Sequence, residues 1–313
     1  GEPYYHIAHR KEYSNCTISP TGPWCSPGSI YTSGTAVPAG QLPIYVEPVF
    51  ASSKIVFELK IVGTDLKLRR SMEGPEHYPQ LRRRDDVAAL STTDMKSEVP
   101  VPYFGWDHGI FPPGNDFDTA IKGAVFLARN CQSLNNREKL VETLQKFIKV
   151  ESLSTCMHNA EPPPGADINS KKSIASRYLF LLAFENENSD DYVTEKVWEA
   201  LRFGTLPVYF GAPNIYEHIP QSGRWIVNAN DFNSWDDLGK HLQELSRNAT
   251  AYQSYHAWRS QPLPHSFLKK FEFQQVHPDC RTCRWAFAMR EKLNWDIPTQ
   301  TFDVSQLQRG GPS

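Results

Sequence analysis

The sequence predicts an α/β protein whose second half is an open, doubly wound parallel sheet, and three observations predict it. An unbroken apolar run at Tyr178–Phe184 is typical of a strand buried on both faces. An amphipathic helical stripe over residues 193–201 follows it, and Gly204 stands where that helix should end. A second apolar run at Leu206–Phe210 completes a strand–helix–strand unit of a parallel sheet.

The polar turn in this unit, residues 185–191, lies where parallel sheets bind ligands, at the carboxyl ends of their strands. Lys196 falls in the first turn of the helix, where the helix dipole disfavours a cation by up to about 1 kcal/mol. A diphosphate would be stabilised there by the free N–H groups, the dipole and the ammonium together. An ion pair with Glu199 is the alternative use of this lysine.

Length and charge limit the class of protein. A chain of 313 residues with 40% hydrophobic content is long enough for two globular domains. Its 33 basic and 35 acidic residues leave a net charge of −2, which lacks the basic field that nucleic acid requires. Any phosphate site must therefore be local.

Six cysteines and two glycosylation sequons, which begin at Asn15 and Asn248, indicate an oxidising, secretory compartment. The chain carries no signal peptide or membrane span, so we expect it to be the lumenal part of a longer protein.

The first part of the chain predicts a smaller α/β domain. Residues 1–45 are rich in loops and proline, and short strands are predicted at 55–59, 66–72, 86–91 and 99–104. The Pro/Gly-rich stretch 111–115 precedes an apolar strand at 123–128 and predicts a domain boundary at 122/123. Further helices are predicted at 136–147, at 251–260, at 285–293 and after the capping residue Ser234. The predicted parts are 1–122, 123–285 and a C-terminal helix with a tail at 286–313.

A long segment then resembles a known family. Residues 180–213, FLLAFENENSDDYVTEKVWEALRFGTLPVYFGAP, resemble the donor-binding signature of family 10 glycosyltransferases, the inverting α1,3/α1,4-fucosyltransferases. That signature runs F-x-L-A-F-E-N-S and then D-Y-[IV]-T-E-K. Three upstream stretches fit in the same order: RSMEGPEHYP at 70–79, STTDMKSEVPVPYFGW at 91–106 and ARNCQSLNNREKL at 128–140. The plant-type core α1,3-fucosyltransferases are the most similar in the first domain.

The resemblance implies a GT-B architecture, two Rossmann-like domains that face each other across a cleft. The first domain would hold the acceptor glycan and the second GDP-β-L-fucose, and the C-terminal helix would return to the first. No cofactor or metal site is implied, and Mn²⁺ would act only as a stimulator. Membrane attachment would need a stem and anchor outside this chain, in a type II protein of the Golgi lumen.

The resemblance also implies roles for residues at the matching positions. Glu73 would be the catalytic base, although Gly74 follows it where the family commonly has serine. Lys196 and Arg137 would neutralise the departing diphosphate. The guanosine ribose and fucose would be lined by Glu185, Asn186, Tyr192 and Glu195. By pattern alone, Glu73 is typical of a solvated turn and Arg137 of a helix surface.

Several other residues have more than one possible role. Tyr78, Trp106 and His108 could contact the acceptor, because aromatic faces suit sugar rings, but each is also typical of core or surface. Asp190 and Asp191 favour helix capping over a metal site. For the cysteines, the resemblance implies that Cys16 and Cys25 each pair with one of Cys280 and Cys283, and that Cys131 pairs with Cys156. Cys16–Cys25 with Cys280–Cys283 is the competing pairing.

The sequence therefore predicts an inverting α1,3-fucosyltransferase acting on GlcNAc of N-glycans, with the core GlcNAc as the expected acceptor. The alternatives are the same chemistry on outer-arm LacNAc or Lewis-type acceptors, and a catalytically silent protein that binds glycans or nucleotide sugars.

Overall fold

The computed structural model describes residues 14–19, 22–25, 41–48, 57–61, 65–76, 78, 87–105, 111–276 and 278–302. Side chains are described from residue 65 onward, apart from those of Asp279, Cys280 and Cys283. The chain forms two compact units, residues 1–102 with 270–313 and residues 103–269. This division puts residues 103–122 in the second unit, where the Asn115 side chain donates a hydrogen bond to the Tyr178 carbonyl at 2.9 Å.

Six described strands of the first unit form one mixed sheet. They are β1 (Ser14–Ser19), β2 (Gly22–Cys25), β3 (Gln41–Pro48), β4 (Phe57–Ile61), β5 (Lys67–Arg70) and β6 (Ala89–Ser91). Their order is β2-β1-β3-β4-β5-β6, and every neighbouring pair is antiparallel except β5 with β6. The strand predicted at 99–104 is wrong, because Pro100 and Pro102 have no N–H with which to continue a ladder.

The second unit alternates strands and helices, as the sequence predicts. Its elements are β7 (Ile121–Phe126), α1 (Arg137–Leu144), β8 (Lys149–Ser152), α2 (Lys171–Ala175), β9 (Tyr178–Phe184), α3 (Glu195–Arg202), β10 (Leu206–Phe210), α4 (Ile215–His218), β11 (Val227–Asn228), α5 (Trp235–Leu245), α6 (Ala249–Ser254) and α7 (His265–Lys270). The strands form a parallel sheet in the order β11-β10-β9-β7-β8.

Helices cover both faces of this parallel sheet. Phe180 and Leu182 of β9 share a core with residues of α1 and α5, whereas Leu181 packs with residues of α2 and α3. All seven residues of β9 are buried. The predicted α/β class, with a doubly wound Rossmann-like sheet, is thus confirmed.

Local signals set the ends of two helices in the second unit. Gly204 follows α3 with a φ of 78°, a left-handed conformation that favours glycine, and a side chain there would meet the Pro113 carbonyl. The Ser234 hydroxyl caps α5 by accepting the Asp237 N–H at 3.1 Å. The helix predicted at 251–260 is divided into α6 and a 3-10 turn at 257–260.

The chain ends in the first unit with α8 (Pro278–Arg290), β12 (Trp295–Asp296) and β13 (Thr301–Phe302). Trp285 and Phe287 of α8 pack with Leu68 of β5 and Ala89 of β6 in one buried cluster. Within the described part of the chain, no helix has both the length and the apolar composition needed to cross a membrane.

Candidate active site

Three loops meet the carboxyl edge of the parallel sheet. They follow β7, β9 and β10 and comprise residues 127–136, 185–194 and 211–214. The strands β7 and β9 are neighbours, but the chain continues from β7 to β8 on one side and from β9 to β10 on the other. Ligands of open α/β sheets bind at such a switch point.

Glu185 is the first residue after β9, and its side chain is completely buried. One carboxylate oxygen, Oε1, accepts the Thr194 N–H at 2.8 Å, and the other, Oε2, accepts from the Lys196 ammonium at 2.9 Å. The Thr194 hydroxyl lies within 2.9 Å of both oxygens. Burial raises the pKa of Glu185, and the ammonium of Lys196 opposes that rise.

Lys196 is the second residue of α3, and 24% of its side chain is exposed. Its ammonium also donates to the Thr194 hydroxyl at 2.8 Å and lies 3.7 Å from the Glu195 carboxylate. Burial disfavours the charge, yet Glu185 and Glu195 raise the pKa of Lys196 above its ordinary value. The alternative pairing with Glu199 is not the one formed, because Glu199 pairs with Lys171 at 3.0 Å.

Arg137 is the first residue of α1 and is only 1% exposed. Its guanidinium donates to the Phe184 carbonyl at 2.9 Å and to the Asn130 carbonyl at 2.7 Å. Its Nε lies 3.5 Å from the Glu138 carboxylate. Burial lowers the pKa of Arg137, and the carboxylates of Glu138 and Glu185 oppose that effect. The side chain thus joins the end of β9 to the loop after β7.

Further bonds hold the loop after β7 in place. The Leu134 N–H donates to the Asn186 carbonyl at 2.8 Å, and the Asn135 side chain donates to the Glu185 carbonyl at 3.1 Å. A disulfide between Cys131 and Cys156, the pairing that the family resemblance implies, joins this loop to the one after β8. The other four predicted disulfide cysteines have side chains outside the described residues: Cys16, Cys25, Cys280 and Cys283.

Asp191 fastens the loop after β9 to α4. Its Oδ1 accepts from the Asn214 side chain at 2.8 Å and lies 2.8 Å from His218 Nε2. Its N–H donates to the Asn214 side-chain oxygen at 2.9 Å. The capping role predicted for Asp191 is wrong, because Thr194 is the N-cap of α3 and Asp191 adopts a φ of 61° further upstream.

The other residues predicted to line the donor site lie in the same loop and in α3. Asn186 is half-buried, Tyr192 is 2% exposed, and the Glu195 side chain is 31% exposed. Burial favours the neutral form of Glu195, but Lys196 and Lys171 lower the pKa of Glu195 below its ordinary value. Glu195 therefore places a negative charge at the sheet edge that solvent can reach.

The predicted catalytic base belongs to the first unit. Glu73 is half-buried in the loop after β5, and its N–H donates to the Ser71 hydroxyl at 3.1 Å. Tyr78 is half-buried nearby, and its N–H donates to the Gly74 carbonyl at 3.1 Å. The other predicted acceptor residues, Trp106 and His108, lie outside the described residues.

The predicted glycosylation sites have the following settings. Asn248 is exposed as the N-cap of α6, where its Oδ1 accepts the Ala251 N–H at 3.0 Å. Asn15 lies in β1, and its side chain is outside the described residues. In the portion of the chain that the structure describes, no three acidic, histidine or cysteine side chains form a group suited to a metal ion.

Gly211 is a residue of the site that sequence reasoning missed. A side chain there would place its Cβ 2.5 Å from Glu185 Cγ and 2.6 Å from the Tyr209 hydroxyl. A glycine directly after a buried strand often marks such a close approach, and that signal could have found it. Gly211 leaves the space that the Glu185 side chain occupies.

Comparison with known proteins decides the family. The profile described as glycosyltransferase family 10 (fucosyltransferase) C-term matches residues 119–297. The chain belongs to glycosyltransferase family 10. The resemblance predicted from residues 180–213 is therefore confirmed.

This family 10 chain is similar to several curated proteins. It is 33% identical over 252 residues to a putative fucosyltransferase-like protein of Arabidopsis thaliana, covering 79% of this chain and 48% of that protein. It is 34% identical over 141 residues to the GDP-fucose protein O-fucosyltransferase 3 of Xenopus laevis, covering 43% of this chain and 30% of that protein. The chain thus spans less than half the length of each.

One solved structure, an α1,3-fucosyltransferase with GDP-fucose, shares 24% identity with this family 10 chain. The match covers 48% of this chain and 42% of the other, with a TM-score of 0.42.

Proposed function

We propose that the chain transfers L-fucose from GDP-β-L-fucose to a sugar hydroxyl with inversion, forming an α1,3 linkage to GlcNAc of N-glycans, with the core GlcNAc as acceptor. The observation that carries the proposal is the N-terminus of α3 at the switch point. There Lys196 is held charged and partly exposed within the Thr-Glu-Lys sequence of a family 10 donor signature.

In the proposed reaction the acceptor oxygen attacks C1 of fucose while its proton passes to the Glu73 carboxylate. The bond between C1 and the β-phosphate oxygen breaks, and GDP leaves with the bonding electrons. Lys196 stabilises the growing negative charge on the diphosphate, with Arg137 assigned the same role by the resemblance. Asn186, Tyr192 and Glu195 line the donor, and Glu195 suits the oxocarbenium-like state because it is charged and reachable.

The acceptor has a second candidate, the hydroxyl of a serine or threonine in a protein. The observation that favours it is the similarity to proteins named GDP-fucose protein O-fucosyltransferase 3, from Xenopus laevis at 34% identity and Gallus gallus at 31%. Outer-arm LacNAc or Lewis-type glycans are the third candidate. The donor loops offer no basis for choosing, because they recognise the nucleotide sugar only.

We propose the Golgi lumen as the site of action. The Cys131–Cys156 disulfide and the exposed sequon at Asn248 support a secretory compartment. GDP-fucose is the only small-molecule partner required in this proposal, and Mn²⁺ would act only as a stimulator.

The acceptor is tested by incubation with GDP-fucose and four acceptors, read by mass spectrometry. They are a core N-glycan with terminal GlcNAc, LacNAc, a Lewis precursor and a folded protein domain with exposed serine and threonine. We expect a gain of one fucose on the core N-glycan. Transfer to the protein domain alone would overturn the glycan acceptor, and GDP binding without any transfer would support a silent binder.

The base is tested by Glu73→Gln. We expect kcat to fall by about 10² or more while GDP affinity is kept, because only proton transfer is lost. Glu76→Gln, an exposed carboxylate in the same loop, is the matched control and should leave both values unchanged. Equal loss of kcat and GDP affinity in Glu73→Gln would show that Glu73 is structural.

A further inference from the structure

The Lys196 ammonium can donate only as many hydrogen bonds as it has N–H groups. An ammonium carries three N–H donors. In Lys196, one donates to Glu185 Oε2 at 2.9 Å and one to the Thr194 hydroxyl at 2.8 Å. One donor is left for a ligand on the exposed side of the side chain.

Glu185 is in a different position from the other residues predicted to touch the donor. Its side chain has no exposed surface, and both carboxylate oxygens already accept hydrogen bonds from within the loop and α3. Its N–H extends the β9–β10 ladder by donating to the Phe210 carbonyl at 2.8 Å. A direct contact with ribose or fucose would require these bonds to break.

We propose that Glu185 is a positioning residue that does not touch the donor. It holds Lys196 so that a single ammonium N–H is presented to the diphosphate, and its own side chain occupies the space that Gly211 leaves. This inference rests on the proposed GDP-fucose site and assigns Glu185 a role different from the ribose and fucose contact implied by the resemblance.

The charges around Lys196 show why Glu185 dominates its ionisation. Glu195 on α3 is the second carboxylate that faces the ammonium, but at 3.7 Å it is an ion pair without a hydrogen bond. Arg137 from α1 repels it. Without the Glu185 charge, burial and Arg137 would oppose the ammonium with only Glu195 in close support.

The proposal is tested first by competitive acetylation of lysines across a pH series, with peptide mass spectrometry, on wild type and Glu185→Gln. Lys171 and Lys172 on α2 are internal references. We expect the labelling midpoint of Lys196 to fall by about 1 to 3 pH units in the variant, as for loss of an adjacent opposite charge. An unchanged Lys196 midpoint would overturn the proposal.

The second measurement is GDP affinity by calorimetry from pH 7 to pH 10. The amide oxygen in Glu185→Gln can still accept an N–H from Lys196, but the charge is lost. The GDP affinity of the variant relative to wild type should therefore fall progressively from pH 7 to pH 10, to a severalfold loss, as Lys196 loses its proton in the variant alone. A loss of the same size at every pH would show direct contact and overturn the proposal. Glu199→Gln removes the same charge from the outer face of α3 and should follow wild type.

The labelling result does not depend on GDP, so the two proposals can fail separately. If wild type binds no GDP, the proposed function fails. A Lys196 labelling midpoint that shifts in Glu185→Gln would still support the role of Glu185 in stabilising the ammonium. An unchanged midpoint would refute that role.

Gly211→Ala moves Glu185 without removing its charge. We expect GDP affinity to fall at all pH values, because the new methyl group displaces the carboxylate from Lys196. Gly239→Ala in α5 is the matched control, since its methyl group would clash with the Phe147 ring and destabilise the same unit away from the donor loops. Unchanged affinity in a folded Gly211→Ala protein would contradict the proposed geometry.

Discussion

Arg137 and Lys196 both lie in the first turn of a helix at the carboxyl edge of the same sheet, yet they are held in opposite ways. The Arg137 guanidinium is enclosed and donates to two backbone carbonyls, those of Phe184 and Asn130. The Lys196 ammonium is held by a carboxylate and a hydroxyl, and part of the side chain reaches solvent.

The difference between the two side chains indicates that Arg137 connects parts of the protein, whereas Lys196 is placed to bind a ligand. Two carbonyl oxygens accept from the Arg137 guanidinium, and the Glu138 carboxylate lies near its Nε, yet burial still lowers the pKa of Arg137. The carboxylates around Lys196 instead raise the pKa of Lys196. A phosphate could reach Lys196 without breaking a bond inside the protein. At Arg137 it would have to enter a buried site, because the side chain is only 1% exposed. Lys196 is therefore the better-prepared phosphate ligand of the two.

Replacement of Arg137 tests the fastening role and should have the largest effect on stability. Arg137→Met leaves the Phe184 and Asn130 carbonyls without their donor, and we expect the free energy of unfolding to fall by about 3 kcal/mol. Urea unfolding measures it, with Arg177→Met, an exposed arginine, as the control. If the folded variant also loses GDP affinity as strongly as a Lys196 variant, the contrast between the two cations is wrong.

Replacement of Lys196 tests the binding role. We expect Lys196→Ala to weaken GDP binding by about 10- to 100-fold, the value of one charged hydrogen bond, and to lower turnover. Because the variant leaves Glu185 buried without its partner, Lys196→Ala/Glu185→Gln is the control for lost stability. Unchanged GDP affinity in both proteins, by calorimetry, would contradict the phosphate assignment.

The sequence does not predict the contrast between Arg137 and Lys196, although it predicts many of the strands and helix ends around them. The apolar runs predict β9 and β10 to the residue, and the position of Gly204 predicts the end of α3. These features depend on local periodicity and on backbone conformation. The depth of Arg137 and the pairing of Glu185 with Lys196 depend on contacts between distant segments, which periodicity does not carry.

Tertiary contacts also explain the misassigned residues. Aspartate is a residue type that is common at helix starts. The Asp191 side chain instead contacts Asn214 and His218, which come after the next strand. Within the first unit, the β-branched valines near residue 100 suggest a strand, and the intervening prolines prevent one.

Another cation, the half-buried Arg259, extends the comparison to pH. It resembles Arg137, since it donates to the Pro112 and Leu201 carbonyls, and its Nε donates to His256 Nδ1 at 2.9 Å. Burial, with the nearby Arg259 charge, lowers the pKa of His256 to about 3. The folded state thus keeps this imidazole neutral while the unfolded chain takes up a proton.

The free energy of unfolding should therefore fall as pH drops from about 6.5 to about 3. His256 should contribute about 1.4 kcal/mol of this fall per pH unit. Above the unfolded value both states are neutral and the contribution is constant. Urea unfolding of wild type and His256→Gln at pH 7, 6 and 5 measures the difference in slope. Parallel slopes would show that His256 takes up a proton in the folded protein.

The smallest effect is expected at the outer face of α3. Lys171 of the Lys171–Glu199 pair is 56% exposed, so Lys171→Met should change the free energy of unfolding by about 0.5 kcal/mol or less. Lys172→Met, its exposed neighbour on α2, is the matched control. A clear loss of GDP affinity in Lys171→Met alone would extend the donor site to α2, through the influence of Lys171 on Glu195.

The disulfide between Cys131 and Cys156 has a practical consequence for producing this protein. It tethers the loop that carries Leu134 and Asn135, both bonded to the chain just beyond β9. Protein made in a reducing bacterial cytoplasm would lack this tether. Expression through a secretory pathway, or periplasmic export, is therefore the route to material whose loops at the sheet edge are in their native arrangement.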